Sequence, residues 1–331
     1  MGLYRKGLGL LIVAGTVVPW AAMSTEAVME GYPKRPITLV VGFPPGGGAD
    51  VVARHLATFM AKDLGQKVII ENRPGAAGNI GAVVVARAAA DGYTVYLAVR
   101  PVALHKVVYK GLDYDFAKAL VPVGMVVRVP YVLVMRKDIP ATNLQEAFAL
   151  VRARPGVYSC GSPGVGSDNH LLCEGVKDQA SLSWEHLPYN GDAPLIEDMV
   201  GGHADFGVVA VAAALSYINS GHVLPLAVFS ADRVTAIPSI PQMKSLGFAV
   251  TEAEGWCALV APARTPAHAI SRLNLSINAA LSDGAFRKTL TSLGYVLPAK
   301  ANTPEALGVF LAEDVARWTE LWERQHVSGL P

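Results

Sequence analysis

Charge is scarce in this sequence: 17% of its 331 residues are Asp, Glu, Lys or Arg, and 28 basic against 27 acidic residues leave a formal net charge of +1. No block of like charge stands out, so the electrostatic footprint that a nucleic-acid partner requires is missing. Cysteine is scarcer still, at three residues. Cys160, Cys173 and Cys257 form no Cys-x-x-Cys pair and no histidine-rich spacing accompanies them, which argues against a zinc site. Small buried hydrophobes are the favoured reading of the thiols, with a Cys160–Cys173 bridge as the alternative.

Long apolar runs are lacking too. The first residues put Arg5 and Lys6 ahead of an apolar stretch at 7–18, with small residues near Ser24 and Ala27 where a peptidase could cut. About 12 apolar residues fall short of the roughly 20 that span a bilayer, so 1–27 reads as a signal peptide and the mature chain as an exported, soluble protein.

Enzyme signatures fail one by one. Ser162 has Cys160 where a Gly-x-Ser-x-Gly elbow needs glycine, and Ser167 is flanked by Val165 and Asn169 at the same spacing. The glycine run at 46–48 continues into Ala49 and Asp50 instead of the Lys-Ser/Thr of a phosphate loop. Val51 stands where the third glycine of Gly-x-Gly-x-x-Gly belongs. A protein that binds a small molecule is the simplest reading.

What the chain does have is alternation. From Pro36 onward, strand-like runs ("ITLVVGF", "KVIIEN", "YTVYLAV") alternate with helical patterns, which predicts a parallel sheet with right-handed crossovers. A second series follows: a helix at 144–152, the strand "GVYSCGS", a helix from about 168, a strand ending near Tyr189 and a helix at 193–200. The strand "ADFGVVA", a helix at 212–220 and the strand "LPLAVFS" complete it. Helices beginning near 266 and 283 and an amphipathic helix at 304–325 close the sequence. Two α/β units are therefore expected.

Each unit has one glycine-rich turn between a strand and a helix, in "GFPPGGGADVVARHL" and in "YSCGSPGVGSDNHLL". Such a turn leaves backbone N–H groups aimed outward at a helix amino end, where an anion is attracted. Gly46, Gly47 and Gly48 let a ligand approach the first backbone closely, and Gly161, Gly164 and Gly166 stand in the second. Ser167 and Asp168 also suit the capping of the following helix, and His170 suits a packing role as well as a chemical one.

"GFPPGGGAD", "GVGSDNHL", "LPYNGDAPLIEDMVGGHADF", "IPSIPQMKSLGF", "GWCALVAPARTP" and "EDVARWTELWE" together resemble the substrate-binding receptors of tripartite tricarboxylate transporters, the Bug receptors, over nearly the whole mature chain. The resemblance implies a periplasmic binding protein type II-like α/β fold, two open α/β domains joined by two crossing segments with a ligand cleft between. It implies a discontinuous domain 1 of residues 28–130 and 255–331, a domain 2 of residues 131–254, and crossings near 128–131 and 252–255. A small organic carboxylate held largely by backbone groups is the implied ligand. Matched by position, Phe43, Pro44, Gly46, Gly47 and Asp50 of the first loop, Gly164, Gly166, Ser167 and His170 of the second, and Tyr189 and Gly191 line the cleft.

Two departures from the family pattern bear on the ligand. "VRPVALH" puts Arg100 just beyond the third strand, where it either clamps a second acidic group of the ligand or pairs with an acidic neighbour. "GVVAV" at 207–211 lacks the family's polar side chains and suggests an apolar wall around 209–211. The expected partners are the carboxylate and membrane permease subunits, with a monomer as the working state and neither metal nor cofactor. The alternatives are a ligand sensor for a membrane signalling protein and an enzyme that uses His170 or Asp50 as base.

Overall fold

β1 (Ile37–Val41) is an unbroken apolar run with four of its five residues buried, as a strand inside a parallel sheet must be. The computed structural model describes residues 1–2, 31–108, 111, 114–230, 233–248, 253–298 and 302–324. The expected signal peptide at 1–27 lies outside the described residues, apart from its first two. α1 (Gly48–Leu64) follows β1 and buries Val52, Leu56, Met60 and Leu64 on one stripe, at the spacing a helix face requires. Gly65 ends it in the left-handed conformation.

The first sheet adds β2 (Val68–Asn72), then α2 (Asn79–Ala86) and β3 (Thr94–Val99). Short helices α3 (Arg100–Ala103), α4 (His105–Val108) and α5 (Phe116–Ala119) lead to β4 (Leu120–Val129) and, one residue later, β5 (Tyr131–Arg136). The second unit continues through α6 (Leu144–Ala153), β6 (Tyr158–Ser162), α7 (Asp168–Gln179), β7 (Trp184–Pro188), α8 (Asp192–Val200), β8 (Phe206–Ala210), α9 (Val211–Asn219) and β9 (Val223–Phe229). β10 (Gly255–Pro262), α10 (Ala267–Ser282), α11 (Gly284–Ser292) and α12 (Pro304–Arg324) complete the described chain.

The strands form two five-stranded sheets, ordered β2-β1-β3-β10-β4 and β7-β6-β8-β5-β9. The first draws its strands from 37–129 and 255–262, and the second from 131–229. Three strands of each sheet run parallel, as expected from the alternating pattern. β10 runs antiparallel to β3 and β4, and β5 antiparallel to β8 and β9, so both sheets are mixed. The run "VPVGMVVRVPYVLVMRK" accounts for the difference. It is two strands separated by Pro130, and a continuous β-branched run shows neither strand direction nor the point where a chain changes sheet.

Cys160 on β6 and Cys173 on α7 are joined as a disulfide with Cα atoms 6.3 Å apart, which corrects the reading of both as free buried thiols. Spacing alone could not pair them, because the strand-to-helix reversal that brings them together is a tertiary feature. Cys257, buried on β10, stays free. The bridge encloses the whole second glycine loop, a 13-residue separation, and such closure restricts the unfolded chain by about 3 kcal/mol. Replacing both cysteines by alanine should lower unfolding stability by that order, read from urea titrations; identical midpoints for variant, oxidised and reduced protein would refute the assignment.

Candidate functional site

The two glycine loops and the start of α8 converge on one cleft, open to solvent, between the two sheets. In the first loop the carboxylate of Asp50 accepts hydrogen bonds from the Gly46 N–H (2.9 Å), from Arg54 Nε (2.7 Å) and from Asn72 Nδ2 (2.9 Å). Asn72 Nδ2 also donates to Phe43 O. Gly46 has φ of 86°, a conformation that other residues adopt only with strain. The loop is thus held from behind, and the α1 amino end faces the cleft with Gly47 as an N-cap that has no side chain to satisfy its N–H groups.

The second loop is built the same way from different residues. Ser167 caps α7 by accepting from the His170 N–H and donates its hydroxyl to Gly164 O at 2.7 Å. Gly166, at φ of 80°, donates its N–H to His170 Nδ1 at 3.2 Å. The His170 ring stacks on His186 at 3.9 Å, and His186 Nε2 meets Ser162 Oγ at 2.8 Å. Burial pushes His170 down to about 4, and burial with the neighbouring His170 pushes His186 to about 3, so both rings are neutral at pH 7.

Of the residues expected to bind ligand, Phe43, Pro44, Gly47, Ser167 and Gly191 line the cleft, and Gly164 and Tyr189 line a neighbouring pocket that shares Phe43 and Pro44 with it. Gly46, Asp50, Gly166 and His170 stand behind the loops as their supports. The apolar wall expected at 209–211 is reduced to Ala210, because Val209 and Val211 are packed in the core of the second sheet. Tyr131, Asn169, Asn190, Asp192 and Trp256 also line the cleft, and the sequence reading passed over them. Asn190 and Asp192 share the stretch "YNGDAP" with Tyr189 and Gly191, and that neighbourhood is the signal that marks them.

Arg100 is the main correction. Its side chain is 1% exposed, and it lies outside the residues lining the cleft. Its Nη1 donates to Asp168 Oδ2 and its Nε to Asp314 Oδ2, both at 2.7 Å, while Nη2 donates to Glu254 O. The guanidinium lies 4.2 Å from the centre of the Trp318 ring. Tyr131 donates its hydroxyl to the same Asp168 oxygen, and Trp256 Nε1 donates to Asp314. Arg100 therefore pairs with acidic neighbours, as one of its two readings held, but under the cleft floor and not at its rim. Burial works against charge on both carboxyls: it raises Asp168, whereas the Arg100 guanidinium outweighs it at Asp314 and holds that group below its ordinary value.

Asp192, first residue of α8, is the one charged side chain among the described residues lining the cleft. Its Oδ1 accepts from the Ala210 N–H at 3.3 Å, and its carboxylate also accepts from the Gly48 N–H. Burial raises it to about 6 in spite of those two donors. Three helix amino ends, those of α1, α7 and α8, thus point into a space with apolar walls such as Phe43, Pro101 and Trp256. Such a site suits an anion with an apolar body, held through backbone N–H groups. Among the described residues no group of His, Cys, Asp and Glu could hold a metal ion, and no helix is long and apolar enough to cross a membrane.

Two mixed α/β sheets with a ligand cleft between them define the periplasmic-binding-protein architecture, and solved structures agree. The periplasmic binding protein BugD superposes with a TM-score of 0.86 at 33% identity, over 90% of this chain and 99% of that one. A protein of Rhodopseudomonas palustris, MatC with bound malate, gives 0.82 at 28% identity over 88% and 100% of the two chains. A further R. palustris protein, solved with adipate, gives 0.87 at 29% identity over 91% and 100%. The model of the tripartite tricarboxylate transporter family receptor matches residues 52–327, and the chain belongs to that family. Protein BugT of Bordetella pertussis is 36% identical over 311 residues, 93% of this chain and 95% of BugT.

Two outcomes follow from the supports. Arg100→Gln leaves Asp168 and Asp314 buried without their cation and should cost about 3–5 kcal/mol of unfolding free energy; a loss below about 1 kcal/mol in urea titration would show that the network carries no stability. Burial raises Asp50, but its hydrogen bonds from Arg54, Asn72 and Gly46 bring it below 3.8. A depressed carboxyl contributes stability that is complete above its ordinary value and lost as pH falls through the folded one. Asp50→Asn should flatten the fall in stability below about pH 4, and an unchanged acid limb would exclude this role.

Proposed function

We propose that this chain is an exported receptor that captures a small organic carboxylate between its two lobes and delivers it to a tripartite tricarboxylate-type membrane permease. The observation that carries the reading is the convergence of three helix amino ends on one apolar-walled cleft with no cationic side chain among its described lining. Backbone N–H groups and helix dipoles, not a guanidinium or ammonium, then supply the attraction for the anion. Family membership supports the receptor role and the periplasmic location, and the carboxylates bound by two similar proteins support the ligand class. The ligand is bound and released unchanged, and the receptor works as a monomer.

The lobes in this reading are residues 28–130 with 255–331, and 131–254, a division suggested by which strands enter which sheet. They swing about the chain crossings at 128–131 and 252–255, the latter reaching outside the described residues at position 252. Ligand in contact with both loops stabilises the closed arrangement over the open one by its extra contacts there.

Isothermal titration against mono-, di- and tricarboxylates, with chromatography of the mixture afterwards, tests the reading. One-to-one binding with full recovery of the ligand and a smaller radius of gyration in solution scattering is expected. Absence of binding by every acid, or conversion of one of them, would sink it. A side chain at Gly47 would meet only Pro44 O, at 3.6 Å, so the fold accommodates it while the cleft does not. Gly47→Val should keep the unfolding midpoint and lose at least about tenfold in affinity; wild-type affinity would remove the first loop from the site.

A further inference from the structure

A cleft meant for an anion has a carboxylate in its own wall. Asp192 accepts from an N–H of each lobe, Gly48 at the start of α1 and Ala210 at the end of β8. Those two donors use two of the roughly four acceptor positions of a carboxylate and leave acceptor capacity on a side chain that lines the cleft. The ionisable groups that feel its charge are Tyr131 on β5 and Tyr295 beyond α11, and Asp50 and Cys257 act on Tyr295 as well. None of these is a cation. Arg100, buried under the floor, is committed to Asp168 and Asp314.

We propose that Asp192 is a specificity-determining residue that selects a small carboxylate bearing an ammonium group over a dianion. The proposal rests on the carboxylate-receptor reading and narrows it. The ligand's own carboxylate takes the unsatisfied N–H groups of the glycine loops, and its ammonium donates to the free acceptor positions of Asp192, which completes a charge-assisted hydrogen bond inside a mostly apolar space. A second ligand carboxylate in that place would face Asp192 at hydrogen-bonding range. The two could coexist only with a proton shared between them, because like charges at that separation force one group to take up a proton. The position of Asp192 at about 6 makes that uptake available at mildly acid pH and measurable at pH 7.5.

The test uses matched probes of four, five and six carbons: the dicarboxylate, its half-amide, the ω-amino acid and the α-amino acid of each length, titrated at pH 7.5 into wild type and Asp192→Asn. For wild type the best ammonium-bearing acid should bind at least about tenfold tighter than the dicarboxylate of its length, with the half-amide between. Asp192→Asn should erase that order, weakening the ammonium acid and strengthening the dicarboxylate by about tenfold each. Tighter binding of a dicarboxylate than of its ammonium counterparts by wild type, or an unchanged order in Asp192→Asn, overturns the proposal.

Wild-type titrations in buffers of different ionisation enthalpy provide a measurement that needs no variant. Dicarboxylate binding should take up a proton and ammonium-acid binding none; equal proton uptake by both overturns the proposal. If no probe binds either protein, the carboxylate-receptor reading fails, and this inference with it.

Discussion

The guanidinium of Arg100 ties the machinery of the two sheets together. It enters from the end of β3, holds Asp314 of α12 on its own side, and reaches Asp168 at the start of α7 on the other. Its third partner is the Glu254 carbonyl, next to the return of the chain into β10. A buried cation with so many partners cannot move without leaving a carboxylate unpaired, and an unpaired buried charge costs far more than a surface ion pair gains. The amino end of α7 is therefore pinned to the first sheet at a single point beside the chain crossings, about which the rest of the second sheet is free to turn. Trp318 and Trp256 close the apolar surroundings that make those ion pairs strong.

The three helices that point at the cleft each have an aspartate in the first turn, and the three are used differently. Asp50 turns back on its own loop and fixes its backbone. Asp168 turns down to Arg100 and fixes the helix. Asp192 remains in the cleft wall, where only backbone N–H groups satisfy it. A carboxylate at a helix amino end is favoured by the helix dipole in each case. What separates a support from a cleft-facing group is the partner each carboxylate finds: Arg54 one helical turn along for Asp50, the distant Arg100 for Asp168, and no guanidinium for Asp192.

That difference also explains how much could be read in advance. The two α/β units, the two glycine loops and the helices from 144 onward were legible because period and punctuation are local properties. Which side of a loop a residue faces is not local. Asp50 and His170 carry the residue types of a binding site and sit within the loop sequences, yet their hydrogen bonds to Gly46 and Gly166 put them behind the backbone. Arg100 was legible as a group needing acidic partners, but those partners are 68 and 214 residues away. The Cys160–Cys173 disulfide and the antiparallel strands β4, β5 and β10 depend equally on contacts that no spacing rule encodes. Tyr131 and Trp256 were hidden for a related reason, since they stand where the chain crosses between sheets and no motif marks them.

Recognition through backbone N–H groups has a consequence for how such a receptor changes its ligand. In the receptor reading proposed above the glycine loops would accept any carboxylate that fits, because a main-chain donor is the same whatever side chain surrounds it, so they would set a shared class and not the individual ligand. Discrimination falls to the few side chains that reach the cleft, and rejection by an unsatisfied or like-charged group is stronger than attraction by shape alone. In this chain the wall is apolar apart from Tyr131, Ser167, two asparagines and Asp192. Among those only Asp192 carries charge, and a second anionic group beside it would have to bring a proton or be refused. Under that proposal supports such as Arg100 and Asp50 could stay fixed while one wall position altered the ligand, since neither lines the cleft.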